Sequence, residues 1–407
     1  DVYKRQGPEG RPVTIMDTQR YHGWFLHGDI SVEELEQVIC QGCAGAGACA
    51  EMGTATTMNG ITETLGMSFP GNATILADRA ELLRLARTVG ERCVTLVREG
   101  VRPSDIMTER ALHNAVKMVL AVGGSLNVMI HLAAIARELD LDLPLDLWDQ
   151  HSRAIPLICR VRPNVYDHTV VDLARAGGFP AVLNAMRELL DTDLLTVTGR
   201  TLGENIAGAR SLDPRIIRSL EDPFGSEGGI AVLKGNLAPE GAVVKQSAVA
   251  PDLMVYQGPA RVFDSEELAI RGLVEGRIGP GDVVVIRYEG PKGSPGAMEM
   301  MNFAHFVSGL GLDVPVITDG RYSGTNKGPS IGHVCPEAME GGPLALVQDG
   351  DLIDISIPER RLDLLVSEEE LAERARDWTR PPLRESRGVL GAYAQRSTSL
   401  AEGATIF

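Results

Sequence analysis

A change of pattern near residue 209 constrains the fold of this chain more than any other feature of its sequence. Before it, apolar residues recur at helical spacing between Gly-rich turns, which predicts helices. After it, short runs rich in β-branched residues alternate with Gly, Pro and Asp, which predicts strands. A length of 407 residues favours two domains. The predicted first-half elements are helices at 30–39, 78–99, 108–122, 125–139 and 181–190 and a short extended piece at 194–198.

The second half predicts a barrel-like domain. Its helices are expected at 266–274, at 303–310 and after Ser367, where a capping box precedes a helical pattern. Seven or more short strands at this spacing are typical of a β-barrel. The candidate strands are 230–233, 242–245, 260–263, 283–288, 314–318, 352–357 and 361–365.

Charge and hydropathy exclude several classes of partner. A net charge of −16 is opposite to the basic surface that nucleic acid binding needs. An anionic small substrate stays possible, since a metal ion reverses the local field. No apolar run approaches the roughly 20 residues of a membrane span, and the N-terminus lacks a signal-peptide pattern. We therefore expect a cytoplasmic protein without a membrane partner, whose six cysteines are metal ligands or buried thiols rather than disulfides.

The first residues are unusual for the start of a domain. The chain opens with DVYKRQ, has no initiator Met and shows no first secondary element through residue 17. We expect part of a domain to lie upstream of residue 1, and residues 1–6 are candidates for a sequence-end artefact.

Cys49 follows a Gly/Ala-rich turn, residues 42–48, and precedes a helical pattern. A thiol in this setting is expected to have a lowered pKa and an open approach, which suits a thiolate metal ligand. A buried cysteine in a tight turn is the alternative, because burial is the usual role of a free cysteine. Cys40 and Cys43 form a CxxC pair, but no second pair exists to complete a zinc site.

A polar turn, TDGRYSG at residues 318–324, follows the apolar run 314–317. Folds of the α/β class present reactive side chains at such strand ends, and backbone amides around Ser323 would stabilise its alkoxide as a base. The alternative is an ordinary Asp-Gly turn. Asp319, Arg321 and His333 are candidate pocket residues near this serine.

A Gly/Pro-rich loop, residues 288–298, leads to Glu299 before a predicted helix. Glu299 suits two roles. It is either a helix N-terminal charge, worth about 0.5 kcal/mol, or an oxygen ligand to Mg²⁺, which takes one or two carboxylates. His131 lies in an apolar helical stretch and is expected in the core.

Eight segments, in order from about residue 10 to residue 395, resemble the family of dihydroxy-acid, phosphogluconate and aldonic-acid dehydratases. An ordered series of this length is far more specific than any single motif. The segments read CAEMGTATTMNGITETLGMSFPG, GGSLNVMIHLAAIA, DLARAGGFPAVL, LLTVTGRTLGEN, GGIAVLKGNLAPEGAVVK, GPARVFDSEE, VVIRYEGPKGSPGAMEM and VITDGRYSGTNKGPSIGHVCPEA.

The resemblance implies a fold and an assembly. It implies an α/β protein with an N-terminal α/β domain containing a parallel sheet, here truncated, over residues 1–209. A C-terminal β-barrel-like domain with flanking helices is implied over residues 210–407. Family members assemble as homodimers or homotetramers, and the same is expected here.

The resemblance also implies roles for three residues. Cys49 matches the last of three cysteine ligands of an iron–sulfur cluster, [2Fe–2S] or [4Fe–4S]. Glu299 matches a Mg²⁺ ligand, and Ser323 matches the base that removes the C2 proton. The other two cysteines, and the Asp and carbamylated Lys that bind Mg²⁺, have no counterpart here and are expected upstream of residue 1. A chain limited to residues 1–407 is therefore expected to be inactive and unable to assemble the cluster.

Ser125 and Asn127 are further candidate pocket residues, in a segment that departs from the family. The family commonly has Gly-Gly-Ser-Thr-Asn, whereas this chain has Leu126 in place of the Thr. The departure bears on how the substrate is positioned.

The implied reaction dehydrates a 2,3-dihydroxy acid to a 2-keto acid. Mg²⁺ on the carboxylate would stabilise the enolate, a cluster iron would take the C3 hydroxyl, and Ser323 would act as base. The segments KQSAVAPDLMVYQGPARVFDSEE and GRYSGTNKGPSIGHVCPEA are closer to the dihydroxy-acid branch. The first expected substrate is therefore 2,3-dihydroxyisovalerate, a precursor in branched-chain amino-acid synthesis. The alternatives are an aldonate such as xylonate or arabinonate and, from another class, a non-catalytic truncated chain.

Overall fold

The computed structural model describes residues 13–42, 45–324 and 328–406 and has a mixed helix and sheet architecture, as predicted. The α-helices among these residues are α1 Ile15–His27, α2 Val32–Gly42, α3 Thr54–Thr64, α4 Ala80–Glu99, α5 Pro103–Ile106, α6 Glu109–Val122, α7 Asn127–Glu138, α8 Leu145–Ala154, α9 Val170–Arg175, α10 Gly178–Ala185, α11 Leu202–Ile206, α12 Glu266–Val274, α13 Met301–Gly309, α14 Glu368–Asp377 and α15 Gly388–Arg396. The strands are β1 Ala231–Leu233, β2 Gly241–Val244, β3 Val255–Phe263, β4 Val283–Ile286, β5 Val316–Thr318, β6 Ser330–Cys335, β7 Leu352–Ser356 and β8 Arg361–Leu364.

The helical half is organised around α6, which is buried along most of its length. The Thr108 hydroxyl accepts a hydrogen bond from the Ala111 amide at its start, and Gly123 ends it in the left-handed conformation. Helices α3 and α8 pack against it. A parallel sheet was expected in this half. The described residues 13–42 and 45–209 instead form helices and isolated β-bridges and contain no strand of such a sheet.

The eight strands form one sheet in the order β1-β2-β6-β5-β4-β3-β7-β8. Its central pairs, from β6 through β5 and β4 to β3, are parallel, and its outer pairs are antiparallel. Lys234, next to β1, forms a bridge with Arg361 of β8, so the two edges of the sheet meet. The sheet is therefore nearly closed, which confirms the barrel-like prediction.

Alternating side chains of the central strands enter two different cores. Val284 and Ile286 of β4 belong to the core shared with the helices, while Val283 and Val285 belong to the core inside the barrel. A strand buried on both faces needs a continuous apolar run, and VVVI meets this requirement. The helix-side core extends from Met52 across residue 209, so the domain boundary predicted there stays a prediction.

Two predicted features of the first half differ from the structure. Helix α1 occupies residues for which no first element was expected, because Thr14 and Asp17 form a capping box at its start. The stretch 194–198 has a single bridge, from Leu195 to Thr201, rather than a strand.

Two further predictions are corrected elsewhere in the chain. Strand β6 was not predicted, because Gly and His interrupt its apolar pattern. His131 is exposed on α7 rather than buried in the core. None of the helices in the described part combines the length and apolarity needed to cross a membrane.

Candidate active site

Four of the predicted site residues meet around one side chain, Thr54. Its hydroxyl lies 3.0 Å from the Ser125 hydroxyl and accepts a hydrogen bond from Asn127 Nδ2, also at 3.0 Å. It also lies 3.4 Å from the backbone oxygen of Ser323, to which it donates. Asn127 Nδ2 donates in addition to Glu299 Oε2 at 3.2 Å. We call these five residues the Thr54 network.

The network forms where two helices begin. Thr54 is the first residue of α3, and Asn127 is the first residue of α7. Since their side chains bond each other, two helix N-termini meet at this point. Helix N-termini carry partial positive charge, which favours an anionic ligand such as a carboxylate.

The Ser323 loop is pressed tightly onto the network. Ser323 is 8% exposed, and the residue after it, Gly324, has a φ of +83°. A Cβ at Gly324 would lie 2.7 Å from the Ser125 Cα, so only glycine allows this approach. The ammonium of Lys245 donates to the Gly324 oxygen at 2.7 Å.

Arg321 and Glu299 form an ion pair at the edge of the network. Arg321 donates from one terminal nitrogen to Glu299 Oε2 at 2.8 Å and from Nε to the Ala297 oxygen at 2.7 Å. Glu299 lies two residues before α13, and its side-chain partners are Arg321 and Asn127 rather than helix amides. Both ion-pair side chains are partly exposed, which leaves the site open to solvent.

Asp319 lies behind the network, in the protein interior. Its carboxylate accepts hydrogen bonds from the amides of Tyr288, Glu289 and Ala338 at 2.8–3.1 Å. It therefore holds the start of the 288–298 loop. Burial raises the pKa of Asp319 to about 6.

His333 is buried on β6 with a φ of +55°. Its amide donates to the Gly320 oxygen at 2.9 Å, so it is tied to the same turn as Ser323. Burial, followed by the nearby charges of Arg321 and His131, lowers the pKa of His333 to about 3. A neutral imidazole is expected there at neutral pH.

Cys49 is on the exposed turn that leads to α3, five residues before Thr54. The protein on one side of the thiol partly desolvates it, and the carboxylate of Glu51 repels its negative charge. Together these effects raise the pKa of Cys49 to about 11. The prediction of a lowered thiol pKa is therefore wrong for the protein without a bound cation.

Sequence reasoning missed Thr54 and Lys245. Thr54 lies inside the quoted segment CAEMGTATTM, but nothing in its spacing marks it as a junction. The sequence indicates Lys245 more clearly, because this lysine directly follows the apolar run GAVV, where a buried residue is expected.

A chain of buried carboxyl groups supports the loop that leads to Glu299. Glu337 accepts hydrogen bonds from the amides of Lys292 and Gly293, and the Glu289 carboxylate pairs with Arg384 at 2.8 Å. Burial raises the pKa of Glu337 to about 7, and neighbouring Asp319 adds to the shift. The pKa of Glu266, beside Glu289, is raised by burial to about 7 as well.

Few side chains in the described part of the protein are placed to bind a metal ion. Among the described residues, no three His, Cys, Asp or Glu side chains lie close enough together to hold a metal ion. Glu299 offers a carboxylate at an open position, and Cys49 offers an exposed thiol. These are the donor types that Mg²⁺ and iron–sulfur clusters take, so each residue fits as one ligand of its group.

Comparisons with known proteins extend this description. The N-terminal model of the dihydroxy-acid/6-phosphogluconate dehydratases matches residues 4–205, and the C-terminal model matches residues 215–404. A dihydroxy-acid dehydratase of Acetivibrio thermocellus is 47% identical over 388 residues, which are 94% of this chain and 70% of that protein. One of Halothermothrix orenii is 48% identical over 402 residues, 98% of this chain and 73% of that protein.

The matched residues include both halves of the chain and all members of the Thr54 network. The chain therefore belongs to the dihydroxy-acid/6-phosphogluconate dehydratase family.

The buried carboxyl groups of Asp319 and Glu337 make the stability of the fold depend on pH. Because their pKa values are raised in the fold, Asp319 to about 6 and Glu337 to about 7, the folded protein binds more protons than the unfolded chain. Their stabilisation is present at about pH 4 and is lost as the pH rises through 6 and 7. In Glu337→Gln we expect the free energy of unfolding in urea to fall less between pH 5 and 7 than in the wild type. An unchanged pH slope would contradict this account of Glu337.

Proposed function

We propose that this protein is a hydro-lyase that converts a 2,3-dihydroxy carboxylic acid to a 2-keto acid, with 2,3-dihydroxyisovalerate as its substrate. The observation that carries the proposal is the Thr54 network. It joins Thr54 and Asn127 of the first half of the chain to Ser323 and Glu299 of the second half. The names of the relatives support the same reaction.

In this proposal Ser323 removes the proton from C2. The C2 electron pair then forms the C2=C3 double bond as the C3 hydroxyl leaves, and the departing hydroxide and the proton taken by Ser323 make up the one water released. The resulting enol tautomerises to the 2-keto acid. Serine acts as a base in its alkoxide form, which a positive surrounding stabilises. Arg321, two residues away, and Lys245, bonded to the next carbonyl, supply cationic groups beside the Ser323 loop.

The proposal includes Mg²⁺ with Glu299 as one ligand and an iron–sulfur cluster with Cys49 as one ligand. When bound, these groups supply Lewis acidity at the substrate carboxylate and at the departing hydroxyl. The chain itself orients the substrate: Arg321 and the N-termini of α3 and α7 favour its carboxylate at the open edge of the network.

A cytoplasmic location is part of the proposal. Free cysteines support it, because disulfides are rare in the cytoplasm. The described free cysteines are Cys40, Cys49, Cys93, Cys159 and Cys335.

The test of the reaction uses the complete gene product with its cluster reconstituted anaerobically. We expect 2-keto acid from 2,3-dihydroxyisovalerate and none from xylonate or arabinonate. Ser323→Ala should lower kcat at least about 100-fold, because it removes the base. Ser308→Ala, a serine on α13 outside the network, is the matched control and should keep wild-type kcat.

The other outcomes of this test would each support a different conclusion about the reaction. Turnover of aldonates alone would move the protein to sugar-acid catabolism with the same chemistry. No turnover of any substrate by a fully loaded protein would favour the non-catalytic alternative. Full activity of Ser323→Ala would remove Ser323 from the mechanism.

We also propose that two copies of the chain pair through α4. No residue of this 20-residue helix is buried, and Leu83 and Val97 are 76% and 80% exposed. Exposed apolar stripes of this kind mark interaction surfaces. The stripe is symmetric about Gly90: Leu83 and Val97 lie seven residues to either side, and Ala86 and Val94 lie four to either side.

Such a stripe fits an antiparallel copy of itself. A twofold axis at Gly90 would place Leu83 of one copy against Val97 of the other, which is the self-complementary contact of a twofold dimer. The space above Gly90 is open, so two helices can approach closely there.

Val97→Asp should dissociate this dimer to monomers in analytical ultracentrifugation, since it places a charge in the apolar contact. Thr88→Asp, on the opposite side of the same helix, is the control and should leave the dimer intact. A dimer that persists in Val97→Asp at micromolar concentration would rule out α4 as the interface.

A further inference from the structure

Among the described residues beside the Thr54 network, Lys245 is the most deeply buried cationic side chain. It follows β2 and is 4% exposed. Its ammonium donates to the Gly324 oxygen at 2.7 Å and lies 3.4 Å from the Met52 oxygen. It thereby joins the turn that carries Cys49 to the loop that carries Ser323.

The surroundings of this ammonium are unusual for a structural lysine. Its hydrogen-bond partners among the described residues are two neutral carbonyl oxygens, and burial lowers the pKa of Lys245 to about 7. Burying a charged amine without a carboxylate partner is costly, and an apolar residue would fill the same space without that cost. An ionisable group with a strongly shifted pKa at such a place is typical of functional sites.

The contacts of Lys245 and Thr54 act on consecutive peptide groups. Thr54 donates to the oxygen of Ser323, and Lys245 donates to the oxygen of Gly324. Two donors on adjacent carbonyls fix the orientations of the two peptides that follow Ser323. The first of these peptides is attached to the Cα of Ser323, so the pair of contacts constrains the backbone from which the serine side chain projects.

We propose that Lys245 is a positioning residue that holds the Ser323 loop in its reactive orientation and places a positive charge beside the serine. The proposal rests on the proposed dehydratase function. It predicts that loss of the ammonium slows proton removal from C2 and leaves substrate binding nearly unchanged.

The test compares Lys245→Ala and Lys245→Met with the wild type in the reconstituted complete gene product. We expect kcat to fall about 100-fold, since a displacement of about 1 Å in a reacting group has an effect of this size. KM should stay within about threefold of the wild-type value, since uniform binding is not affected. The primary isotope effect with C2-deuterated substrate should increase, because proton removal becomes rate-limiting.

Chemical rescue separates positioning from packing. Propylammonium matches the side-chain atoms removed in Lys245→Ala and should restore part of kcat, whereas 1-propanol, of similar size and without charge, should not. Lys234→Ala is the matched control: this lysine is at the end of β1, is half-exposed and pairs with Asp146. Its kcat and isotope effect should equal those of the wild type.

Three results would overturn the inference while leaving the proposed function intact. The first is a wild-type kcat and isotope effect in both Lys245 variants. The second is loss of the folded protein in both variants, and the third is a lowered kcat that propylammonium fails to restore, with the isotope effect unchanged. The second or the third would make Lys245 a structural tie. A wild-type enzyme without turnover would refute the proposed function itself.

Discussion

The site depends on the hydroxyl group of Thr54. A hydroxyl donates one hydrogen bond and accepts up to two, and here all of this capacity is used between Ser125, Asn127 and the Ser323 backbone. Two of the partners come from α7 and the turn before it, and the third comes from the loop after β5, almost 200 residues further along the chain. One hydroxyl at the start of α3 therefore bonds both the backbone of the proposed base and Asn127, which in turn bonds the carboxylate of Glu299.

Around this junction the protein keeps several ionisable groups away from water, and each is held differently. Asp319 and Glu337 accept hydrogen bonds from backbone amides, which shape the loop leading to Glu299. Within the described part of the chain, Lys245 donates to carbonyl oxygens, one of them on the Ser323 loop. The negative charges lie behind the loop and the positive charge lies beside the serine. Burial disfavours charge on both sides, so the arrangement reduces stability near neutral pH in exchange for a defined site.

The strands and the longer helices of the fold could be predicted because they obey local rules. Runs such as VVVI are long enough to be recognised as strands buried on both faces, and capping boxes mark helix starts. Strand β6 escaped because Gly332 and His333 break its pattern, and its strand geometry comes from pairing with β2 and β5. Among site residues, Ser323 and Glu299 were candidates from the turn and loop that carry them and received their roles through resemblance, whereas Thr54 could not be named. Its role exists only in the folded protein, where distant segments meet.

The most direct measurement is the kcat of Thr54→Val in the reconstituted complete gene product, beside Thr54→Ser and Thr62→Val. Valine keeps the shape and removes the hydroxyl, so we expect kcat to fall about 100-fold, with the free energy of unfolding lower by about 1–3 kcal/mol. Thr54→Ser keeps the hydroxyl and should retain most of the activity, and Thr62→Val, on the exposed side of α3, should match the wild type. Wild-type kcat in Thr54→Val would contradict the claim that this hydroxyl assembles the site.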